Sequence, residues 1–507
     1  MEYLLAHDLG TSGNKATLFS SDGKLIDSVT YHYSVSYTNG TWAEQDPEDW
    51  WRAVVETTRT LTEKVEKGSI AAVSFSGQMM GCVCVDETGA PLRKAMIWAD
   101  MRAVEQQKEI AERISERDFY RITGHRLSPS YGGQKFMWVK KHEPEVYKKT
   151  YKLLNAKDYV IFKLTGAFVT EYTDASSTCL LNLDQLAWSD TLLEAMGIDR
   201  AKMPELHRST DIAGHITEEA AALVGLLPGT PVVCGGGDGV CSAIGTGCID
   251  EGVAHSSMGT SSWISITSKK AIYDDEQRTF NWAHIVPGYV LPTGTMQSGG
   301  GAYAWYVDNF CGEEAALAKA RGTSVYTILE ESLRKSPPGS TGLLFLPYLM
   351  GERSPRWNPD ARAGFVGIGM EHRRSDFLRA IEEGVAMNLN IVLDIFRNHG
   401  QTIRDMVVVG GGAKSGVWQQ ILADVYGVRL QIPTLLDEAT SMGAAITAGV
   451  GIGLFEDFRA ADRFLEIRHS VEPIGENREL YRKLQPVFDA AYNGLLPVYE
   501  GLKAFAE

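Results

Sequence analysis

One carboxylate, Asp238, stands in the stretch Pro231-Val-Val-Cys-Gly-Gly-Gly-Asp-Gly-Val-Cys-Ser-Ala-Ile-Gly245, where a short apolar run hands over to a glycine-softened segment of helical composition. The run predicts a buried strand over Val232 to Cys234 with a helix directly after it. Glycines on both sides let a ligand approach the backbone, and a carboxylate near a helix N-terminus is favoured in its charged form, able to take a proton from an alcohol. The plainer reading, that Asp238 caps the helix, is equally consistent with this window.

Two further clusters could do chemistry. Asp8-Leu-Gly-Thr-Ser-Gly13 is a tight loop of hydroxyls and free amides between strand-like runs, a form that can cradle phosphate. An ordinary turn would look the same, but Ser257-Met-Gly-Thr-Ser-Ser262 repeats its Gly-Thr-Ser core ahead of another strand-like run, Trp263 to Thr267. Two hairpin loops of one design suggest a duplicated fold clasping one polyanion. Asp8 is replaced by Ser257 in the second copy, so the first copy has the carboxylate that a hard cation such as Mg²⁺ needs. The other cluster is the turn Ser76-Gly-Gln-Met-Met-Gly81. It presents Gln78, Met79 and Met80 beside Trp98, Asp100 and Arg102 and predicts a small pocket with amphipathic walls. Core packing for the methionines and a surface ion pair for Asp100 and Arg102 is the competing reading.

The elements that must position these groups follow from periodicity and punctuation. Strands are expected at Tyr3 to Ala6, Lys15 to Phe19 and Lys24 to Thr30, turning at Asp22-Gly23, then at Ile70 to Phe75. A hairpin is expected over Cys82 to Val85 and Pro91 to Trp98. Asp46-Pro47 opens a helix running to about Lys67. Further helices are expected at Val104 to Phe119, Gly133 to Lys141, Lys157 to Leu164, Asp376 to Phe396, Val417 to Tyr426 and Glu476 to Ala506, with a polar turn at Thr173 to Thr178. Met406 to Val409 reads as a buried strand entering Gly410-Gly-Gly-Ala-Lys-Ser415, a form that lets backbone lie against a base or ribose. Neither a Walker loop nor a Gly-x-Gly-x-x-Gly fingerprint occurs.

The 507 residues exceed one core, and a boundary near Ile249 to Val253 divides them into 1–250 and 251–507. A net charge of -15 argues against nucleic-acid and anionic-membrane partners. With no bilayer-length apolar run and no basic N-terminal start, a cytoplasmic location is expected. The seven cysteines are scattered and read as reduced core residues.

Together Asp8-Leu-Gly-Thr-Ser12, Trp42-Ala-Glu-Gln-Asp-Pro47, Ser76-Gly-Gln-Met79, Trp98-Ala-Asp100, Gly235-Gly-Gly-Asp238, Ser257-Met-Gly-Thr260, Gly351-Glu-Arg353, Gly410-Gly-Gly412 and Glu438 resemble, in order and spacing, the FGGY carbohydrate kinases, and most of all their xylulokinases. The resemblance implies an α/β, two-lobed, actin-like (ribonuclease-H-like) duplicated fold with the active site in the interdomain cleft. It implies phosphoryl transfer from ATP with Mg²⁺ to a small sugar, a ketopentose such as D-xylulose. Asp238 is then the base, Gln78, Met79, Met80, Trp98 and Asp100 meet the sugar, and Asp8 faces the metal. Gly10, Thr11, Ser12, Lys15, Gly259, Thr260, Gly301, Gly411, Gly412 and Ser415 would hold the nucleotide. Met80 stands where xylulokinases have histidine, which keeps other ketoses, polyols and sugar acids open as acceptors. Gly132 and Glu382 also depart from usual family types. An actin-fold ATPase without a small acceptor is the alternative of another class. A homodimer is compatible with the chain.

Overall fold

The structure is a computed structural model describing residues 2–505. Two sheets organise it. In the first, β1 (Tyr3–Leu9), β2 (Gly13–Ser20), β3 (Leu25–His32), β4 (Ile70–Gly77), β5 (Ile212–His215) and β6 (Pro231–Gly237) lie in the order β5-β6-β4-β1-β2-β3. The second comprises β7 (Ala254–Met258), β8 (Ser262–Ile266), β9 (Phe280–Ala283), β10 (Val290–Met296), β11 (Asp405–Val409), β12 (Arg429–Pro433) and β13 (Ile467–Val471), in the order β9-β10-β8-β7-β11-β12-β13.

Strand directions show that the two are one design. β1 pairs antiparallel with β2 and parallel with β4, β4 runs parallel to β6, and β5 closes the edge antiparallel. β7 likewise pairs antiparallel with β8 and parallel with β11, β11 runs parallel to β12, and β13 closes the edge antiparallel. β9 is the addition. The two Gly-Thr-Ser segments therefore occupy equivalent hairpin turns, β1 to β2 and β7 to β8.

The main helices are α1 (Pro47–Thr62), α2 (Gly132–His142), α3 (Asp238–Gly245), α4 (Gly300–Phe310), α5 (Val325–Leu333), α6 (Arg374–Asn398), α7 (Gly416–Tyr426), α8 (Ala439–Gly451) and α9 (Gly475–Leu502). Asp46 caps α1 by accepting from the Glu48 amide, with Pro47 in its first turn. The helix stops at Thr62 rather than near Lys67, which lies in a 3₁₀ turn. The helix expected over 104–119 is two helices, Val104–Ala111 and Glu116–Thr123, because Ser115 caps the second through the Asp118 amide. The expected turn at 173–178 contains a short helix, Tyr172–Ser176, capped by Glu171. The expected 82–98 hairpin survives as bridges between Cys82 and Met96 and between Val85 and Pro91. Its strands instead pair outward, Val83–Val85 with Lys152–Leu154 and Ala95–Met96 with Trp42–Gln45.

The halves meet where α3 crosses α8, and α8 also lies against β1 and β4. Small residues make that approach possible: a Cβ on Gly443 would sit 1.9 Å from the Cys241 carbonyl oxygen, and one on Gly245 1.9 Å from that of Ala439. All seven cysteines are free and buried.

Candidate active site

The turn carrying Asp238 is built by its neighbours. Gly235 takes φ +71, which an L side chain resists, and the register between β6 and β4 slips there, so β6 bends before it ends. The Gly237 amide donates to Thr173 Oγ1 at 2.8 Å, and that hydroxyl donates to Glu171. Glu171, Asp158 and Asp174 surround the fully buried Lys157, whose Nζ lies 3.3, 2.8 and 3.1 Å from their carboxylates. Gly237, not Asp238, occupies the N-cap position, which corrects the capping alternative. Asp238 is half-buried in the first turn of α3, with its carboxylate accepting from the Gly239 amide. Burial, reinforced by the charge of Asp8, pushes its pKa up to about 7.

Asp238 opens onto a cavity of about 180 Å³ lined from both halves of the chain. Thr11, Met79, Met80 and Trp98 come from the first half, and Trp263, Phe280, Trp282, Gln297 and Arg353 from the second. Trp98 Nε1 donates to Thr11 Oγ1 at 2.8 Å, so the aromatic wall and the first Gly-Thr-Ser turn are one unit. Met80 holds φ +63, and its carbonyl accepts from Lys135 Nζ at 2.9 Å. Burial brings the Lys135 pKa down to about 7. On the far wall Glu352 fixes Gln297 and Arg353 by accepting from both amides, at 2.8 and 2.9 Å.

A second cavity, about 1200 Å³, lies in the second half. Gly259, Thr260, Gly301, Gly411, Gly412 and Ser415 all line it, although they come from three separate stretches of sequence. The Gly259 and Thr260 carbonyls accept from the Gly300 and Gly301 amides, pinning the second Gly-Thr-Ser turn to the start of α4.

Models of the N-terminal and C-terminal domains of the FGGY family of carbohydrate kinases match residues 3–245 and 254–452. The chain belongs to the FGGY family of carbohydrate kinases. Its curated relatives include a xylulose kinase of Bacillus subtilis, 32% identical over 100% of this chain and 99% of that protein. A gluconokinase of the same organism is also 32% identical, over 96% and 94%. Among solved structures, a gluconate kinase from Lactobacillus acidophilus superposes with a TM-score of 0.92 at 28% identity, covering 99% of both chains. A xylulose kinase from Lactobacillus acidophilus gives 0.91 at 28%, covering 99% of this chain and all of that one. The two sheets are thus the two halves of the actin-like, ribonuclease-H-like fold of these enzymes.

Not every residue expected at the kinase's site faces a cavity. Asp100 is fully buried. It accepts from the Ala43 amide at 2.7 Å and is gripped by Arg102, whose Nη2 also reaches Glu44 and whose guanidinium lies 3.7 Å over Trp42. It is therefore neither on the cavity wall nor in a surface pair; it braces the segment carrying Trp98. Gln78 Nε2 donates to Gln45 Oε1 at 2.8 Å, and Gln45 in turn donates to the Thr11 carbonyl, so Gln78 supports the first turn and does not line the cavity. Lys15 pairs with Glu438 at 2.6 Å, a tie between the halves, and it and Gly10 and Ser12 line neither cavity. Asp8 accepts from Ser76 and, across the halves, from Thr440; burial raises its pKa. The aromatic and polar wall of Trp263, Phe280, Trp282, Gln297 and Arg353 carried no site assignment from the sequence. Of these, Arg353 does fall within a motif visible there, Gly351-Glu-Arg353.

Among the described residues no group of three or more His, Cys, Asp or Glu forms a ready metal cage. Asp8 and Asp238, close enough for one charge to shift the other's pKa, still fit a Mg²⁺ that takes most of its ligands from water and phosphate. No helix is long and apolar enough to cross a membrane among the described residues.

Proposed function

We propose that the chain transfers the γ-phosphoryl group of ATP to the terminal hydroxyl of a short open-chain sugar, with D-xylulose giving the 5-phosphate as the leading acceptor. The observation carrying this reading is Asp238, a carboxylate with its pKa at about 7, facing a cavity of sugar size beside a phosphate-type turn. A base with a pKa near the working pH combines availability with proton affinity. Asp238 takes the hydroxyl proton as the oxygen attacks phosphorus, while Met79, Met80 and Trp98 hold the carbon chain against apolar and aromatic faces. The Gly10 to Ser12 and Gly259 to Thr260 turns position the phosphates, and the strip of Gly301, Gly411, Gly412 and Ser415 takes the nucleoside. Positioning and exclusion of water supply much of the acceleration. Mg²⁺, held near Asp8, would neutralise charge on the phosphate oxygens. Residues 1–250 and 251–507 act as two lobes around this site, in a cytoplasmic enzyme.

A second acceptor class, the sugar acids, is favoured by Arg353. It is the one cationic side chain on the wall of the smaller cavity among the described residues. A coupled ADP-release assay over ketopentoses, polyols and aldonates tests both readings. Xylulose-dependent release supports the first, and gluconate-dependent release that collapses in Arg353→Gln supports the second. ADP release indifferent to every acceptor contradicts both.

A further inference from the structure

The larger cavity has a feature its glycine strip does not explain. Glu382, in the middle of α6, is fully buried, lines this cavity and has no hydrogen-bond partner on either carboxyl oxygen. Two more buried polar atoms on the same wall are also unpartnered, Tyr303 Oη and Trp418 Nε1, on rings whose centroids lie 5.7 Å apart. A buried unpartnered polar atom costs about 1–3 kcal/mol, so four in the lining of one cavity point to a ligand that satisfies them.

The chemistry of Glu382 narrows that part. Its pKa is raised well above the ordinary carboxyl range, first by burial and then by the negative charge of Glu330. Arg379, the nearest compensating cation, is engaged by Glu383 at 2.8 Å. A neutral carboxyl presents one O–H donor and one C=O acceptor side by side. On its N7 edge adenine presents the complement, the N6 amino donor beside the N7 acceptor, whereas guanine offers two acceptors there, N7 and O6.

Resting on the kinase reading above, we propose that Glu382 is a specificity-determining residue for the donor nucleotide. It accepts from the adenine N6 amino group and donates to N7, and so selects adenine over guanine nucleotides, whose N7 edge has no donor.

The test is calorimetric binding of ADP and GDP to the full-length protein, wild type against Glu382→Leu and Glu382→Gln. The wild type is expected to prefer ADP. Glu382→Leu should lower the ADP:GDP affinity ratio by about tenfold or more, and Glu382→Gln, which keeps a donor beside an acceptor, should hold the ratio within about threefold. Without nucleotide, Glu382→Leu should melt at or above the wild-type temperature, because an unpartnered acid is exchanged for an apolar group of similar size. An unchanged ratio in Glu382→Leu overturns the proposal, as does a ratio lost equally in both variants. A lower melting temperature for Glu382→Leu would mean that the acid has a protein partner, and overturns it too. Binding ratios are read without turnover, so absence of acceptor-dependent ADP release from wild type would sink the kinase reading and leave this one to its own result.

Discussion

Replacing Asp238 by Asn keeps the shape of the turn and removes the base. General-base catalysis is worth about 10²–10⁴-fold, so kcat should fall by that factor, equivalent to about 3–5.5 kcal/mol of barrier, with KM for the acceptor and for ATP little changed. In the wild type, kcat/KM should rise with pH through an acid limb near 7, because only the deprotonated carboxylate accepts a proton; the variant should lack that limb. Stability should move the opposite way. Raising the pKa from 3.8 to about 7 means that the folded site disfavours the anion. At about 1.4 kcal/mol per pH unit this amounts to at most about 4 kcal/mol, less whatever solvent reaching the half-buried group recovers. Since the folded-state pKa is raised, that destabilisation is complete above about pH 7, shrinks as the pH falls towards 3.8 and vanishes below it. Denaturant titrations should therefore find Asp238→Asn more stable than wild type at pH 8, with the gap narrowing to under about 2 kcal/mol at pH 5. Loss of less than tenfold in kcat, persistence of the limb near 7, or a variant less stable than wild type at pH 8 would refute the reasoning.

Asp100→Asn removes the bidentate partner of the buried Arg102 and leaves it paired with Glu44, so it should cost about 1–3 kcal/mol of stability in denaturant titration while leaving acceptor KM near wild type; a raised KM at unchanged stability would return Asp100 to the sugar wall. Met80→His places a hydrogen-bond donor on the cavity wall at a left-handed residue that histidine tolerates better than most. It should raise kcat/KM for D-xylulose roughly two- to tenfold, as one net hydrogen bond of about 0.5–1.5 kcal/mol does, and unchanged acceptor kinetics would count against the placement of Met80. Gly443→Ala forces a Cβ against the Cys241 carbonyl where α3 crosses α8, and thermal melting should report a loss of about 1–3 kcal/mol or more; a neutral result would mean that the helices separate easily.

The catalytic turn was legible because its signals are local: an apolar run, glycines, one acid and a small-residue helix. The duplication was legible only through one short repeat. The matching strand order of the two sheets rests on pairings between segments far apart in sequence, which no window displays. Side-chain surroundings were the least legible. Asp100 and Arg102, two residues apart, read as part of a sugar pocket or else as a surface pair because spacing carries no information about burial, and the fold buries them beside Trp42. Trp282, on β9, and Arg353, in a loop about seventy residues later, reach the cavity from separate parts of the second half, so only the tertiary arrangement brings them to Asp238. Glu382 could be seen as an unusual type within a helix, but its lack of a partner depends on α4, α5 and α7 meeting α6.

The most direct test of phosphoryl transfer to a sugar is to incubate the protein with Mg·ATP and each acceptor and follow ³¹P NMR. The account predicts a new phosphomonoester resonance, coupled to the two protons of a terminal CH₂, that grows only with the true acceptor and stays absent in Asp238→Asn. Inorganic phosphate as the sole product, formed at the same rate with or without any sugar, would contradict it.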